Sequence, residues 1–302
     1  MGTVLIGASS CSARSLVHDS HWYPRRSMKA AQRIAYYAER FPIVELDATY
    51  RFPPTPDLAR QWVERTPGDF LIDVQAWTLL TGNATLPDSL WPDLRLEVRP
   101  ELRDRRRLYL GHLSEDGRTE AWRRFGHALL PLADAGRLGA VVLRYPHWLR
   151  PGDTGRALLA EARRRLADFR LAVELRNHHW LDQSHCEQTL AFLEDHDLAF
   201  VCVDSARSAH APPVVATTTD LAVVRLEGRN PGEWDEADLS LGERFAYLYP
   251  PEELAAWGTT LGQLAEAADQ VHVLFANAYR DFAVRNAAQL ADLVKSSGRC
   301  QL

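Results

Sequence analysis

Eight short apolar runs, each ending in polar or charged residues, constrain this 302-residue chain more than any other feature. The runs are 4–8, 43–49, 70–77, 140–145, 171–176, 199–204, 221–227 and 271–277. Most are followed by apolar residues at helical spacing: 28–41, 55–63, 120–135, 154–167, 184–196, 251–268 and 282–294. Thr55 followed by Pro56 is a helix start, with a side-chain cap and a proline in the first turn. The segment after the sixth run, 206–215, has no clear helix. The connections are too long for hairpins, so neighbouring strands should be parallel. Eight strand–helix units in this length predict an α/β fold, a closed (β/α)8 TIM-type barrel, as one domain over 1–302. An open doubly wound sheet is the alternative. It would want a glycine-rich turn after an early strand, and Gly7-Ala8-Ser9-Ser10 lacks that spacing. Residues 78–118 interrupt the rhythm with Pro87, Pro92, Pro100 and the basic run Arg103–Arg107. They read as an irregular excursion after strand three, a lid or a mobile loop.

In a (β/α)8 barrel the carboxyl ends of the strands build the site. Here they carry Ser9 and Ser10; Glu45, Asp47, Tyr50 and Arg51; Gln75 and Trp77; Arg144 and Tyr145; Glu174, Arg176, His179 and Trp180; Asp204; Arg225, Glu227 and Arg229; and Asn277, Tyr279 and Arg280. Strand alternation puts Glu174 and Arg176 on one face, and likewise Glu45 with Asp47 and Arg225 with Glu227. Charges inside an apolar strand need partners or a use. One reading is a polar interior of mutually satisfied ion pairs. The other is a site in which Glu45, Glu174 and Glu227 act as acid or base. In that site Tyr50, Arg51, Arg144, Arg176, Trp180, Arg225, Arg229 and Asn277 bind substrate. Charge at several separate strand ends favours the second. A nearby arginine keeps Glu174 and Glu227 ionised, which suits a base or nucleophile better than a protonated acid.

A divalent metal on Glu45, Asp47, Glu174, Asp204 and Glu227 is the weaker alternative, because rim arginines neutralise those carboxylates and no histidine spacing supports it. No metal ligand or cofactor is therefore assigned. Schiff-base chemistry is excluded: the two lysines, Lys29 and Lys295, lie away from the strand ends. The turn Gly228-Arg229-Asn230-Pro231-Gly232 suits an anion, or is a solvated turn. Trp22, Trp77, Trp148 and Trp180 are candidate stacking platforms, though buried packing is the commoner use of tryptophan.

The net charge of −5 gives no overall basic field for nucleic acid. Cys11, Cys186, Cys202 and Cys300 are scattered with no C-x-x-C pair, which points to a reducing, cytoplasmic setting. The amino terminus reads as a strand and not a leader, and no apolar run approaches the ~20 residues of a membrane span.

At these residues the chain resembles a known family, the domain of unknown function 72 or YecE-like proteins. The resemblance is carried by Ile6-Gly7-Ala8-Ser9, by Phe41-x-x-Val44-Glu45-Leu46-Asp47-Ala48-Thr49-Tyr50-Arg51-Phe52-Pro53, by Trp62 with Thr66-Pro67, by Ala172-Val173-Glu174-Leu175-Arg176-Asn177-x-x-Trp180, by Val224-Arg225-Leu226-x-Gly228-Arg229 and by Phe275-x-Asn277. It implies a (β/α)8 barrel loosely related to sugar isomerases. The chain departs from that family's pattern at three rim positions, with Gln75 for lysine, Arg144 for glutamine and Glu227 for histidine. Those departures imply an altered ligand or an inactive relative.

Two functions follow. The first is binding of, or isomerase-like or hydrolase-like action on, a small polar or anionic ligand such as a sugar or sugar phosphate. The second is a non-catalytic or nucleic-acid-associated protein that also uses Arg103–Arg107. The negative net charge favours the first.

Overall fold

The computed structural model describes residues 1–206, 213–230 and 245–298. Its strands are β1 (Thr3–Ala8), β2 (Ile43–Leu46), β3 (Leu71–Gln75), β4 (Leu138–Tyr145), β5 (Leu171–Leu175), β6 (Ala199–Asp204), β7 (Leu221–Leu226) and β8 (Gln270–Phe275). They close in sequence order into one parallel barrel, the (β/α)8 architecture expected from the strand count. Almost every strand residue is buried, as parallel strands covered on both faces require.

Among the described residues the helices are α1 (Arg14–His18), α2 (Ala30–Ala38), α3 (Pro56–Glu64), α4 (Pro92–Leu96), α5 (Glu115–Asp134), α6 (Asp153–Arg165), α7 (Cys186–Asp195), α8 (Pro251–Ala267) and α9 (Phe282–Ser297). α1 and α4 escaped the sequence reading because five residues are too few to show a 3.6-residue period. α5 begins five residues before its apolar pattern. Ser114 accepts a hydrogen bond from the Gly117 N–H, and Glu115 and Asp116 complement the positive end of the helix. β2 stops at Leu46 and the chain turns into a 3-10 turn over Ala48–Tyr50, so the strand alternation ends there. Asp47, expected on the same face as Glu45, is already in helical backbone and exposed. Part of the segment 206–215 read as lacking a helix, and Pro231 and Gly232 of the glycine-flanked turn, lie outside the described residues. No helix among the described residues is long and apolar enough to cross a membrane.

The contacts divide into two compact units. One comprises Met1–Glu45, Arg65–Leu71 and the chain from Ala199 onward. Its registers set Val203, Arg225, Leu274 and Gly7 in one row across β6, β7, β8 and β1. Asp204, Leu226, Phe275 and Ala8 form the next row, on the opposite face of the pleat. β1 and β2 are joined partly through a side chain. The Ala8 N–H donates to the Tyr37 hydroxyl (2.6 Å), which donates to the Ile43 carbonyl (3.1 Å). Gly7 is required beside this bridge: a Cβ there would lie 2.0 Å from the Ile43 oxygen and 2.9 Å from the Tyr37 hydroxyl.

The other unit comprises Leu46–Glu64 and Ile72–Leu198. Gln75 stands opposite Val142, and Arg144 opposite Glu174. Residues 78–118, read from sequence as irregular, contain α4, several 3-10 turns and two isolated antiparallel bridges, Thr85 with Leu108 and Val98 with Leu113. Leu79, Leu90, Leu94, Val98, Leu108 and Leu113 of the segment are buried. Arg124 of α5 ties it down by hydrogen bonds to the Asp93 carboxylate.

Candidate functional site

The barrel fold directs attention to the carboxyl ends of the strands, where each unit carries a charged group of residues. In the unit containing β4 and β5, Arg144 Nε donates to Glu174 Oε1 at 2.8 Å. Glu174 is 2% exposed and Arg144 19%, so the guanidinium covers the carboxylate from solvent. The sequence had paired Glu174 with Arg176, two residues along. Residues i and i+2 are about 6.6 Å apart along a strand, whereas a partner across adjacent strands is about 4.8 Å away. The opposed register of Arg144 and Glu174 therefore wins.

Arg176 is consequently left without a hydrogen bond or ion pair for its side chain among the described residues. Its carbonyl oxygen lies 3.1 Å from His147 Nδ1, and its side chain is half-buried. Tyr50, carried there by the 3-10 turn after β2, has the Arg144 guanidinium 6.0 Å from its ring centroid. Burial pushes its hydroxyl above the ordinary range, while Arg144 and Arg176 pull it back, Glu174 raises it and Arg51 lowers it. Arg51 itself is exposed. Among the described residues, three guanidiniums and one carboxylate act on this half-buried phenol.

Several residues that sequence reasoning missed hold this group in place. Asn83 Nδ2 donates to the Arg144 carbonyl (2.8 Å). Asn177 accepts from the His179 N–H (3.0 Å) and donates to the His147 carbonyl, which fixes the chain beyond Arg176. An asparagine just after a strand and before a short helical turn is a capping signal that could have marked Asn177.

Trp180 does not have the stacking role expected of it. It is fully buried, its indole N–H donates to the Leu149 carbonyl (2.8 Å), and a Cβ on Gly155 would lie 2.7 Å from its ring. It pins the β5–α7 connection to the start of α6. Trp77 is likewise buried, edge-on to Trp91 at 5.2 Å between centroids. His179 and His185 both face Asp182, at 3.3 and 2.8 Å, and Ser184 donates to the same carboxylate. Hydrogen bonding from His185 foremost holds Asp182 well below the usual carboxylate range.

In the unit containing β7 and β8, Glu45 and Arg225 form an ion pair in which neither side chain exceeds 1% exposure. β8 and β1 intervene between β7 and β2 in the strand order, so the pair bridges non-adjacent strands through the barrel interior. A substrate has no access to Glu45 in this arrangement, and the reading of satisfied interior ion pairs describes it better than a catalytic one.

Arg229, expected in an anion clamp, is already engaged. It donates from Nε to Asp204 Oδ1 and from Nη2 to Oδ2, each at 2.8 Å, and its Nη1 is 3.3 Å from Glu253. Asp204 sits on the opposite face of the pleat from Val203 and Arg225. It accepts a further hydrogen bond from the Trp257 indole of α8 at 2.8 Å, so it braces a helix and does not line the interior. Asn277 is fully buried and donates to the Tyr247 carbonyl (2.8 Å) and to Asn286 (2.9 Å). Glu227 is half-buried, with its N–H donating to the Asp204 carbonyl. The Tyr247 hydroxyl donates to Glu253, and burial with that bond pushes its pKa up to about 12. Among the described residues, no three His, Cys, Asp or Glu side chains gather as metal ligands.

A closed (β/α)8 barrel with arginine–carboxylate pairs at its strand ends defines the class of protein. The chain belongs to the family described as protein of unknown function DUF72, whose model matches residues 5–301. It is 26% identical over 283 residues to UPF0759 protein YunF of Bacillus subtilis (strain 168), covering 92% of this chain and 91% of that protein. Among solved structures it is similar to a DUF72 family protein of Thermotoga maritima, at 26% identity and a TM-score of 0.73, covering 97% of this chain and 99% of that one. A DUF72 family protein of Enterococcus faecalis shares the fold at 22% identity and a TM-score of 0.75, with 97% and 95% covered.

Proposed function

We propose that the protein binds a small anionic ligand, such as a sugar phosphate, at the carboxyl ends of β4 and β5. Arg176, Arg51 and Arg144 supply positive charge and Tyr50 a hydroxyl. The observation that carries this reading is Arg176, a half-buried guanidinium with no hydrogen bond or ion pair for its side chain among the described residues. A guanidinium matches phosphate and carboxylate through two parallel N–H donors. Glu174 lies beneath Arg144 and orients it. If the ligand is turned over, by isomerase-like or hydrolase-like chemistry, the ionised Glu174 takes the role of base once Arg144 swings to the ligand. Glu45 and Arg225 stiffen the barrel under this reading, and Glu227 and Asn277 belong to the charged group around Asp204.

The test is titration calorimetry with glucose 6-phosphate, inorganic phosphate and glucose on the intact protein and on Arg176→Ala. Saturable binding of the phosphorylated sugar, weakened at least tenfold by Arg176→Ala and absent for glucose, supports the reading. Equal binding of glucose and glucose 6-phosphate, or affinity unaltered in Arg176→Ala, rejects it. On an identified substrate, Glu174→Gln should abolish turnover with the fold intact.

A second reading, a nucleic-acid partner, draws on Arg105, Arg106 and Arg107. All three are exposed and form no ion pair among the described residues. It requires oligonucleotide binding that weakens steeply with salt, and the net charge of −5 weighs against it. Cys186 and Cys202 are free thiols, which supports placing the protein in the reducing cytoplasm.

A further inference from the structure

Of the four tryptophans that the sequence offers as stacking platforms, Trp77 and Trp180 are buried, and Trp22 packs against Tyr23, Tyr36 and Phe41. Trp148, in the loop after β4, is 57% exposed. It is nevertheless held. The residues on either side of it are fastened to the chain beyond β5. His147 Nδ1 donates to the Arg176 carbonyl (3.1 Å), the His147 carbonyl accepts from Asn177, and the Leu149 carbonyl accepts from the Trp180 indole (2.8 Å). The Trp148 ring lies against Gly82, where a Cβ would come within 3.3 Å of Cζ2. Gly82 has a φ of +72°, a backbone conformation suited to glycine. An indole anchored in this way is preordered, so a ligand that stacks on it pays little ordering cost.

Hydrogen bonds lead from this indole round to Tyr50 and Arg176. The Thr78 N–H donates to the Tyr50 carbonyl (2.8 Å), and the Asn83 N–H donates to the Thr78 carbonyl (3.0 Å). Asn83 Nδ2 donates to the Arg144 carbonyl (2.8 Å). The turn 78–83 therefore joins Tyr50 to the Gly82 on which Trp148 rests, and His147 joins Trp148 to Arg176. Arg176 in turn acts electrostatically on the Tyr50 phenol. Trp148, Arg176 and Tyr50 thus lie around one stretch of the strand ends, all within the unit containing β4 and β5. Trp148 is one residue, about 3.8 Å along the chain, from the His147 that touches Arg176.

We propose that the ligand of the anion site at β4 and β5, the reading on which this rests, is a nucleoside monophosphate. Its base stacks on Trp148 and its phosphate takes the N–H donors of Arg176. An exposed indole close to a guanidinium matches the two ends of such a ligand, one flat and aromatic and the other anionic. A sugar phosphate without a base meets only the second. A bare sugar also needs a partner for each hydroxyl it withdraws from water, and the carbonyls of Arg144, His147, Leu149 and Arg176 already accept hydrogen bonds. A base gains from its flat face, whatever the pattern on its edge.

The test is calorimetric titration of the whole protein with adenosine 5′-monophosphate and with ribose 5-phosphate, the same sugar phosphate lacking the base. The expected result is saturable binding of both, with the nucleotide tighter by about 5- to 150-fold, the range of one base stacked on one aromatic ring. Trp148→Ala should abolish that preference and leave ribose 5-phosphate unaltered, whereas Arg176→Ala should weaken both. Trp148→Phe, which keeps a ring, should retain most of the preference. It should also lose the quenching of indole fluorescence that the nucleotide causes in the intact protein. Equal affinity for the two ligands, a preference that survives in folded Trp148→Ala, or loss of ribose 5-phosphate binding in that variant overturns the stacking role. Ribose 5-phosphate binding that still depends on Arg176 would then leave the anion site standing. Absence of saturable binding by either ligand overturns both.

Discussion

Replacing Arg225 with methionine removes one member of an ion pair whose two side chains are 1% and 0% exposed. The remaining Glu45 carboxylate is then buried without its charge partner from β7. Breaking a buried pair in this way costs about 3–5 kcal/mol, far more than the net worth of an exposed pair. For 302 residues, an unfolding entropy of about 2.1 cal/mol/K per residue gives ~0.63 kcal/mol/K, so the melting temperature should fall by about 5–8 °C. Glu45→Leu should cause a loss of similar size, because it takes the β2 carboxylate away from the buried guanidinium. The double variant Glu45→Leu/Arg225→Met replaces both charges with apolar groups and should regain at least half of the single-variant loss. Scanning calorimetry and urea melts of the four proteins form a double-mutant cycle, in which residues in contact couple by about 0.5–3 kcal/mol. Additive losses, within about 0.5 kcal/mol, would refute the claim that this pair is a coupled beam across the barrel interior. So would a single-variant loss of less than about 1 kcal/mol, a value proper to an exposed pair.

The tether of the 78–118 segment is pH-dependent. Hydrogen bonding from Arg124 lowers Asp93 to about 2, and hydrogen bonding from Arg123 and then Arg124 lowers Glu120 to about 2. Because both carboxylates titrate below their ordinary values, the tether is fully present above about pH 4 and is lost as pH falls through about 2. Pepsin cleavage within 86–113, corrected for its activity on an unstructured peptide, should rise over that interval, and should already be high at pH 4 in Arg124→Ala; a flat corrected rate refutes the tether. Tyr37→Phe leaves the Ala8 N–H and Ile43 carbonyl buried without the hydroxyl that links them. The expected loss is about 1–3 kcal/mol, a drop of about 2–5 °C on the same entropy scale, and a melting point unchanged within about 0.5 °C on that scale shows that the strands close without the bridge.

The sequence carries the fold through its periodicity. Apolar runs of four to eight residues separated by helical spacing leave few arrangements, and strand and helix positions read from the chain match the structure to within a few residues. Its misses are local. α1 and α4 are one turn long, and α5 starts early because Ser114 is a better cap than the apolar pattern could show. The residue types at the strand ends were also legible, because charge in an apolar strand is conspicuous in a linear string.

Partnership was not legible. Alternation along one strand suggested Glu174 with Arg176 and Arg225 with Glu227. The structure pairs Glu174 with Arg144 and Arg225 with Glu45. Which side chain meets which depends on the register between strands and on positions across the barrel, and neither is written in the spacing of one segment. For the same reason, sequence could not separate Trp180, sealed against Gly155, from an open stacking platform, or Arg229, consumed by Asp204, from a free cation. The chain by itself determined a parallel eight-stranded barrel with charged strand ends, because burial periodicity is a local property. Only the tertiary structure decided which of those charges neutralise one another and which, like Arg176, form no side-chain ion pair among the described residues, because ion pairing is settled by distances of a few ångströms between residues far apart in sequence.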